Sequence, residues 1–253
     1  MLNFLPGSVH PCEIHSVIVA GSSGAHVRRV ERWSLVNALG MLVATGVAGW
    51  MGSLWPLLAA GGGLLGMLVV GSWRRWTPDG RFGAANTVTA LRTAGLVAVP
   101  AAVGSPEVFV VLGGGLLLAD GVDGWLARRG NRTSTFGAFF DKEADALFLL
   151  VLCAAAVAAG RVPVWVVGAG LLRYTFVLTV FGLDLPEKTE QRVSLARYIY
   201  AAMVGALFLS FLIDPAWGRP LVACTTIALV GSFGRSLWGM MPRRSAARER
   251  PAS

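Results

Sequence analysis

The chain is short of charge. Asp, Glu, Lys and Arg make up 14% of its 253 residues, against the roughly 25% usual in soluble domains. Since 55% of the residues are hydrophobic, that deficit excludes an ordinary soluble domain and implies an integral membrane protein of the helical kind. Cysteine is scarce as well. Cys12, Cys153 and Cys224 lie far apart and two of them sit in apolar runs, which excludes a disulfide framework. The three histidines all lie before residue 27, so the rest of the chain has no imidazole for acid–base or metal chemistry. His10, Cys12 and His15 are close together but lack a fourth ligand, and they read as part of a tail. A clean secretory signal is also missing, because basic residues follow the short apolar run at 17–20 instead of preceding it. Positive charge is in excess, at +8. In so apolar a chain it reads as loop charge facing the cytoplasm and anionic lipid. It is not a nucleic-acid footprint, and no nucleic-acid domain is expected.

What the chain does have is a series of apolar runs, near 34–51, 54–72, 86–104, 107–120, 137–159, 162–183, 194–213 and 218–239. These predict eight transmembrane helices, seven of them from runs of roughly 17–23 residues, close to the ~20 that cross a bilayer, and the 107–120 run leads straight on into Asp120 and the residues after it. Short Gly-, Ser- and Pro-containing turns alternate with basic segments. Nearly all Lys and Arg fall in 28–32, 74–81, 128–132, 188–197 and 243–250, while the loops between hold only Arg161 and Arg219. The positive-inside rule then places both termini and the 128–132 loop in the cytoplasm. The expected fold is an all-α, polytopic membrane bundle.

The chemistry is concentrated between residues 120 and 145. Asp120, Asp123, Gly124 and Ala127 would share one helical face with Arg128 beside them, and Gly137, Asp141 and Asp145 a face of the next helix. Residues 129–136 would form the loop that lets the two helices pack antiparallel. Four carboxylates brought that close repel one another unless cations intervene. All-oxygen ligands suit a hard divalent ion, magnesium or manganese, with phosphate supplying further ligands. Gly124, Ala127 and Gly137 leave the surface open to a ligand.

This stretch resembles the signature of the CDP-alcohol phosphotransferase (CDP-alcohol phosphatidyltransferase) family, D-x2-D-G-x2-A-R-x8-G-x3-D-x3-D, and every fixed position is present at the family's spacing. Asn86, Thr89 and Arg92 also match the family's Pro-Asn-x-x-Thr-x-x-Arg segment, with Ala85 in place of the proline. The resemblance implies a six-helix core over 86–240. It leaves a tail to residue 33, an extra hairpin and cytoplasmic linker over 34–85, and a basic tail over 241–253. It implies transfer of a substituted phosphate from a CDP-linked donor, CDP-diacylglycerol first, to an alcohol, with release of CMP. The expected metal ligands are Asp120, Asp123, Asp141 and Asp145, with Asp145 also the general base. Gly124, Ala127, Arg128, Gly137, Asn86 and Thr89 are expected to shape the nucleotide pocket.

Arg173 sits near the middle of a span, where an arginine is costly unless it meets an internal carboxylate or an anion. The family commonly binds an acceptor phosphate at this place, and Lys188 and Arg192 continue the basic cluster. A phosphorylated acceptor is therefore expected. Glycerol 3-phosphate, making a phosphatidylglycerophosphate synthase, comes first and inositol phosphate second. The expected setting is a bacterial plasma membrane with the site facing the cytoplasm, and relatives in the family are often dimers. The competing class is a cation-coupled transporter, which would place its acids near the midplane in related repeats. Here they lie at the cytoplasmic edge.

Overall fold

The computed structural model of the protein describes residues 24–73, 76, 80–130, 135–183 and 194–240, with only the backbone described at 24–31, 119–130, 135 and 194. The predicted 1–33 and 241–253 tails, with His10, Cys12 and His15, therefore lie largely outside the described residues, as do Lys188 and Arg192. Among the described residues there are eight helices and no strand. They are α1 (Gly24–Met51), α2 (Trp55–Gly71), α3 (Ala84–Gly95), α4 (Pro106–Gly130), α5 (Thr135–Ala158), α6 (Val167–Gly182), α7 (Ser194–Leu212) and α8 (Pro215–Met240). Helix α3 runs on through a 3₁₀ turn, Leu96–Ala98, and a short turn of α-helix, Val99–Ala102.

Each expected span corresponds to one helix, and the breaks have local causes. Helix α1 ends at Gly52, whose φ of +60° turns the chain back while Ser53 N–H bonds the Ala48 carbonyl. Helix α5 ends the same way at Gly160, with φ +68°, where Arg161 N–H bonds the Ala156 carbonyl and Pro163 follows. Helix α4 departs from expectation at its end. It continues through the aspartate motif to Gly130, and α5 already begins at Thr135, so Arg129, Gly130, Thr135 and Phe136 of the expected 129–136 loop are helix.

Four helical segments are long and apolar enough to cross a membrane: Arg32–Met51, Val164–Gly182, Leu195–Leu212 and Pro215–Met240. Trp55–Gly71 and Pro106–Leu118 are shorter apolar helices. Helix α5 fails that test because Asp141, Lys142, Glu143 and Asp145 occupy its first half. Its position explains why it can carry them. It packs against α2, α3, α6 and α7, and from Ala146 to Ala156 every residue is buried except the half-buried Ala154. A helix apolar on all sides belongs in the centre of a bundle, and lipid does not reach this one. The chain is thus a polytopic membrane bundle built around α5.

The N-terminal hairpin joins this core. Ser34, Asn37, Ala38, Met41, Ala44 and Ala48 form the buried stripe of α1, and α1 packs against both α2 and α6. The Trp33 indole donates to the Leu64 carbonyl across the hairpin, and the Trp33 ring meets Phe139 of α5 edge-on.

Helices α5 and α6 approach closely at Gly170, where an added Cβ would lie 2.6 Å from the Cα of Leu150. The obstacle is backbone, so neither helix can yield without moving. Gly170→Ala should lower the melting temperature of the detergent-solubilised protein, at a cost of about 1–3 kcal/mol. Gly168→Ala, with open space around its Cβ, should hold or raise it. Equal melting temperatures for the two variants would contradict this packing.

Candidate active site

The site begins on α5. Gly137, Asp141 and Asp145 follow one another at four-residue spacing and so share a face. The Asp141 side chain is 49% exposed and that of Asp145 32%. The positive charge opposite them comes from Arg92 of α3, whose side chain is only 2% exposed. Its Nη2 donates to Asp145 Oδ1 at 2.7 Å and stands 3.8 Å from Asp141 Oδ1. The guanidinium also lies over the Phe148 ring, 5.7 Å from its centroid. One buried cation thus serves two carboxylates one turn apart.

Asn86, Thr89 and Arg92 are three residues apart and all buried, so they form one inward face of α3. The Asn86 amide donates to the Phe82 carbonyl and the Thr89 hydroxyl to the Ala85 carbonyl. Both are bonds within the helix and its entry. Helix α3 packs against α4 as well as α5, between the two halves of the aspartate motif. Because α4 is continuous to Gly130, Asp120, Asp123, Gly124 and Ala127 fall on one helical face with Arg128 adjacent. Their side chains lie outside the described residues.

The opposite flank of α5 carries Glu143, 1% exposed. Its Oε1 accepts from Arg173 Nη2 at 2.7 Å and from Arg173 Nε at 3.2 Å, and its Oε2 accepts from Asn37 Nδ2 at 2.9 Å. Of the two alternatives for Arg173, the structure therefore shows an internal carboxylate. The arginine also reaches further: with Asp145 it lines a cavity of about 190 Å³. Lys142, Asp145, Arg173 and Tyr200 form the polar part of this cavity. Ala146, Leu149, Ala169, Leu172, Phe176, Leu229 and Phe233 form its apolar part. The Tyr200 hydroxyl donates to the Asp145 backbone carbonyl at 3.2 Å, fixing α7 beside the carboxylate.

Sequence reasoning singled out Asp141, Asp145, Gly137, Asn86, Thr89 and Arg173, and the structure brings all six around α5 or its neighbour α3. It gave no site role to Arg92, Glu143, Asn37 or Tyr200. For Arg92 and Glu143 a signal existed, since each is a charge inside or beside an apolar run and needs a partner there.

The Asp145 carboxylate and the Arg173 guanidinium line a largely apolar cavity inside a membrane bundle, with Asp141 and the buried Arg92 beside Asp145, an arrangement suited to a membrane enzyme that handles charged groups on lipids. Residues 82–234 match the profile of CDP-alcohol phosphatidyltransferase. The match spans α3 to most of α8, more than half of the chain, and the protein belongs to the CDP-alcohol phosphatidyltransferase family. No curated protein and no solved structure matches it significantly. It is a transferase of substituted phosphate groups in phospholipid biosynthesis, acting between a CDP-alcohol donor and an alcohol acceptor. The family is generally dependent on divalent metal. The donor set here fits a hard cation, because Asp141 and Asp145 offer only oxygen and remain partly open to solvent. Among the described residues no group of three or more His, Cys, Asp or Glu gathers, and α4 carries the other two motif carboxylates.

Arg92→Gln removes the buried charge that Asp145 and Asp141 share. The variant should lose about 2 kcal/mol of stability in chelator. Millimolar magnesium should restore more of its melting temperature than it adds to the native protein's, because a divalent ion then takes over the neutralisation. A magnesium response equal to the native one would contradict a common electrostatic site.

Proposed function

We propose that the protein transfers a phosphatidyl group from CDP-diacylglycerol to a phosphorylated alcohol, with glycerol 3-phosphate the first candidate and inositol phosphate the second. The observation that carries this reading is the cavity at Asp145. Its apolar part suits a lipid body better than a water-soluble CDP-alcohol, and its polar part, with Lys142 and Arg173, suits an anionic group. In this reading Asp120, Asp123, Asp141 and Asp145 hold a divalent ion, magnesium or manganese, at the donor's diphosphate. Once bound, that ion neutralises charge on the diphosphate and on departing CMP. Gly124, Ala127, Arg128, Gly137, Asn86 and Thr89 frame the nucleotide, and Arg173, Lys188 and Arg192 receive the acceptor. In this reading the site faces the cytoplasm of a bacterial plasma membrane, and the basic loops on that side support the orientation. The core begins at residue 86, after a hairpin and linker over 34–85.

The acceptor hydroxyl oxygen attacks the donor's β-phosphorus, which carries the lipid alcohol. A new P–O bond forms, the phosphoanhydride bond to CMP breaks, and CMP leaves. The hydroxyl proton passes to a carboxylate of Asp145, which lies one turn deeper on α5 than Asp141 and borders the cavity. Arg92 and the Tyr200 hydroxyl keep that residue in place.

The test is CMP release by the purified protein, given CDP-diacylglycerol, magnesium and a panel of alcohols. Glycerol 3-phosphate should give the fastest release. Asp120→Asn and Asp141→Asn should abolish release while the protein stays folded. Asp145→Asn should cut turnover by about 10²-fold or more and still bind donor. Loss of donor binding in step with activity would leave Asp145 the ligand role alone and would remove it as the base. No CMP from any phosphorylated alcohol would sink the acceptor assignment.

A further inference from the structure

Asn37, Glu143 and Arg173 join α1, α5 and α6 inside the bundle, and the transfer step itself uses neither Asn37 nor Glu143. Glu143 is a fully buried carboxylate whose two oxygens are both engaged, Oε1 by Arg173 and Oε2 by Asn37. Replacing such a buried network by well-packed apolar side chains is often neutral or stabilising. Holding three helices together is therefore a poor reason to have one. Arg173 supplies a better reason. Its side chain is 22% exposed and it lines the cavity with Asp145. Nε and Nη2 are both taken by one glutamate oxygen, and Nη1 makes no hydrogen bond among the described residues. Because the guanidinium is a rigid planar fork, two bonds along one edge fix the direction of the remaining N–H groups.

We infer that Asn37 and Glu143 form a clamp that positions Arg173 at the acceptor end of the cavity, and that α1 is thereby a working part of the acceptor site. Helix α1 lies outside the family match at 82–234, so this would be a contribution of the extra hairpin to a reaction carried by the core. The inference rests on the assignment of Arg173 to the acceptor's anionic group. An arginine on a free stem must be ordered at each binding event, whereas a clamped one is ordered already. Glu143 sets its plane, and Asn37 sets Glu143. Both are positioning residues and neither touches the reacting atoms.

The experiment uses the full chain in lipid nanodiscs with magnesium, CDP-diacylglycerol and glycerol 3-phosphate as the probe acceptor. Steady-state kinetics on each substrate are combined with the rate at which phenylglyoxal modifies Arg173, followed by peptide mass spectrometry. Glu143→Gln keeps the size and the Asn37 bond but loosens the arginine. It should speed modification and raise the acceptor KM by about tenfold, with the donor KM unchanged. Asn37→Leu should move both readouts the same way by a smaller factor. Glu143→Gln/Arg173→Gln removes both charges, so it should melt closer to the native protein than Glu143→Gln does while keeping the high acceptor KM. An unchanged modification rate in Glu143→Gln overturns the clamp, and so does faster modification with the native acceptor KM. A native acceptor KM in Arg173→Gln alone overturns the acceptor assignment of Arg173 and the inference with it. The modification rate then still reports whether the clamp exists, so the two failures are told apart.

Discussion

Carboxylates on a helix inside a membrane bundle need positive charge within reach, and that requirement organises this protein. Asp141 and Asp145 lie one turn apart at the polar end of α5, and the buried Arg92 guanidinium contacts the second and approaches the first. Around it follow the burial of the Asn86–Thr89–Arg92 face, the packing of α3 against both α4 and α5, and the exclusion of α5 from lipid. The same requirement recurs on the other flank, where Glu143 is met by Arg173 and Asn37. Helix α5 therefore separates two electrostatic systems that serve different ends. One is partly exposed and oxygen-rich, which suits the divalent cation proposed for it. In the other, Glu143 is buried with both oxygens engaged, while Arg173 reaches from it to the cavity wall.

Glycine has an opposite but complementary part. At Gly170 the absence of a side chain lets α6 lie against the backbone of α5, which brings Arg173, three residues further along α6, to the cavity that Asp145 borders. A small residue in the packing and a charged residue in the site are thus linked through one helix–helix distance. The apolar remainder of the cavity, from Ala146 to Phe233, comes from α5, α6 and α8, and Gly170 itself lies on its wall.

Much of this was legible beforehand. Apolar runs interrupted by Gly and Pro marked all eight helices, because in a bilayer an unsatisfied backbone leaves helix as the only open choice. The aspartate spacing marked one face on each of two helices, since offsets of three, four and seven have a single helical meaning. Less was legible where meaning depends on a partner distant in sequence. Asn37 is a polar residue in an apolar run that drew no reading from the sequence, yet its amide meets a carboxylate 106 positions away. Glu143 was hidden between Asp141 and Asp145, and only the two-residue offset shows that it must face the other way. Arg173 was read as anion-binding or internally paired, and the structure shows the pair together with a place on the cavity wall. The end of α4 was misjudged because a polar Arg-Gly segment reads as loop, although helix propensity and the preceding turns carry the helix through it.

The central claim is that these carboxylates hold a divalent cation against the phosphates of a CDP-linked lipid. Electron paramagnetic resonance of Mn²⁺ bound to the protein in nanodiscs tests it most directly, because hyperfine coupling to ³¹P reports phosphorus close to the ion. With CDP-diacylglycerol present, the account predicts bound Mn²⁺ with phosphorus coupling, and loss of that signal in Asp141→Asn. Bound Mn²⁺ without phosphorus coupling, or a native signal in Asp141→Asn, would contradict it.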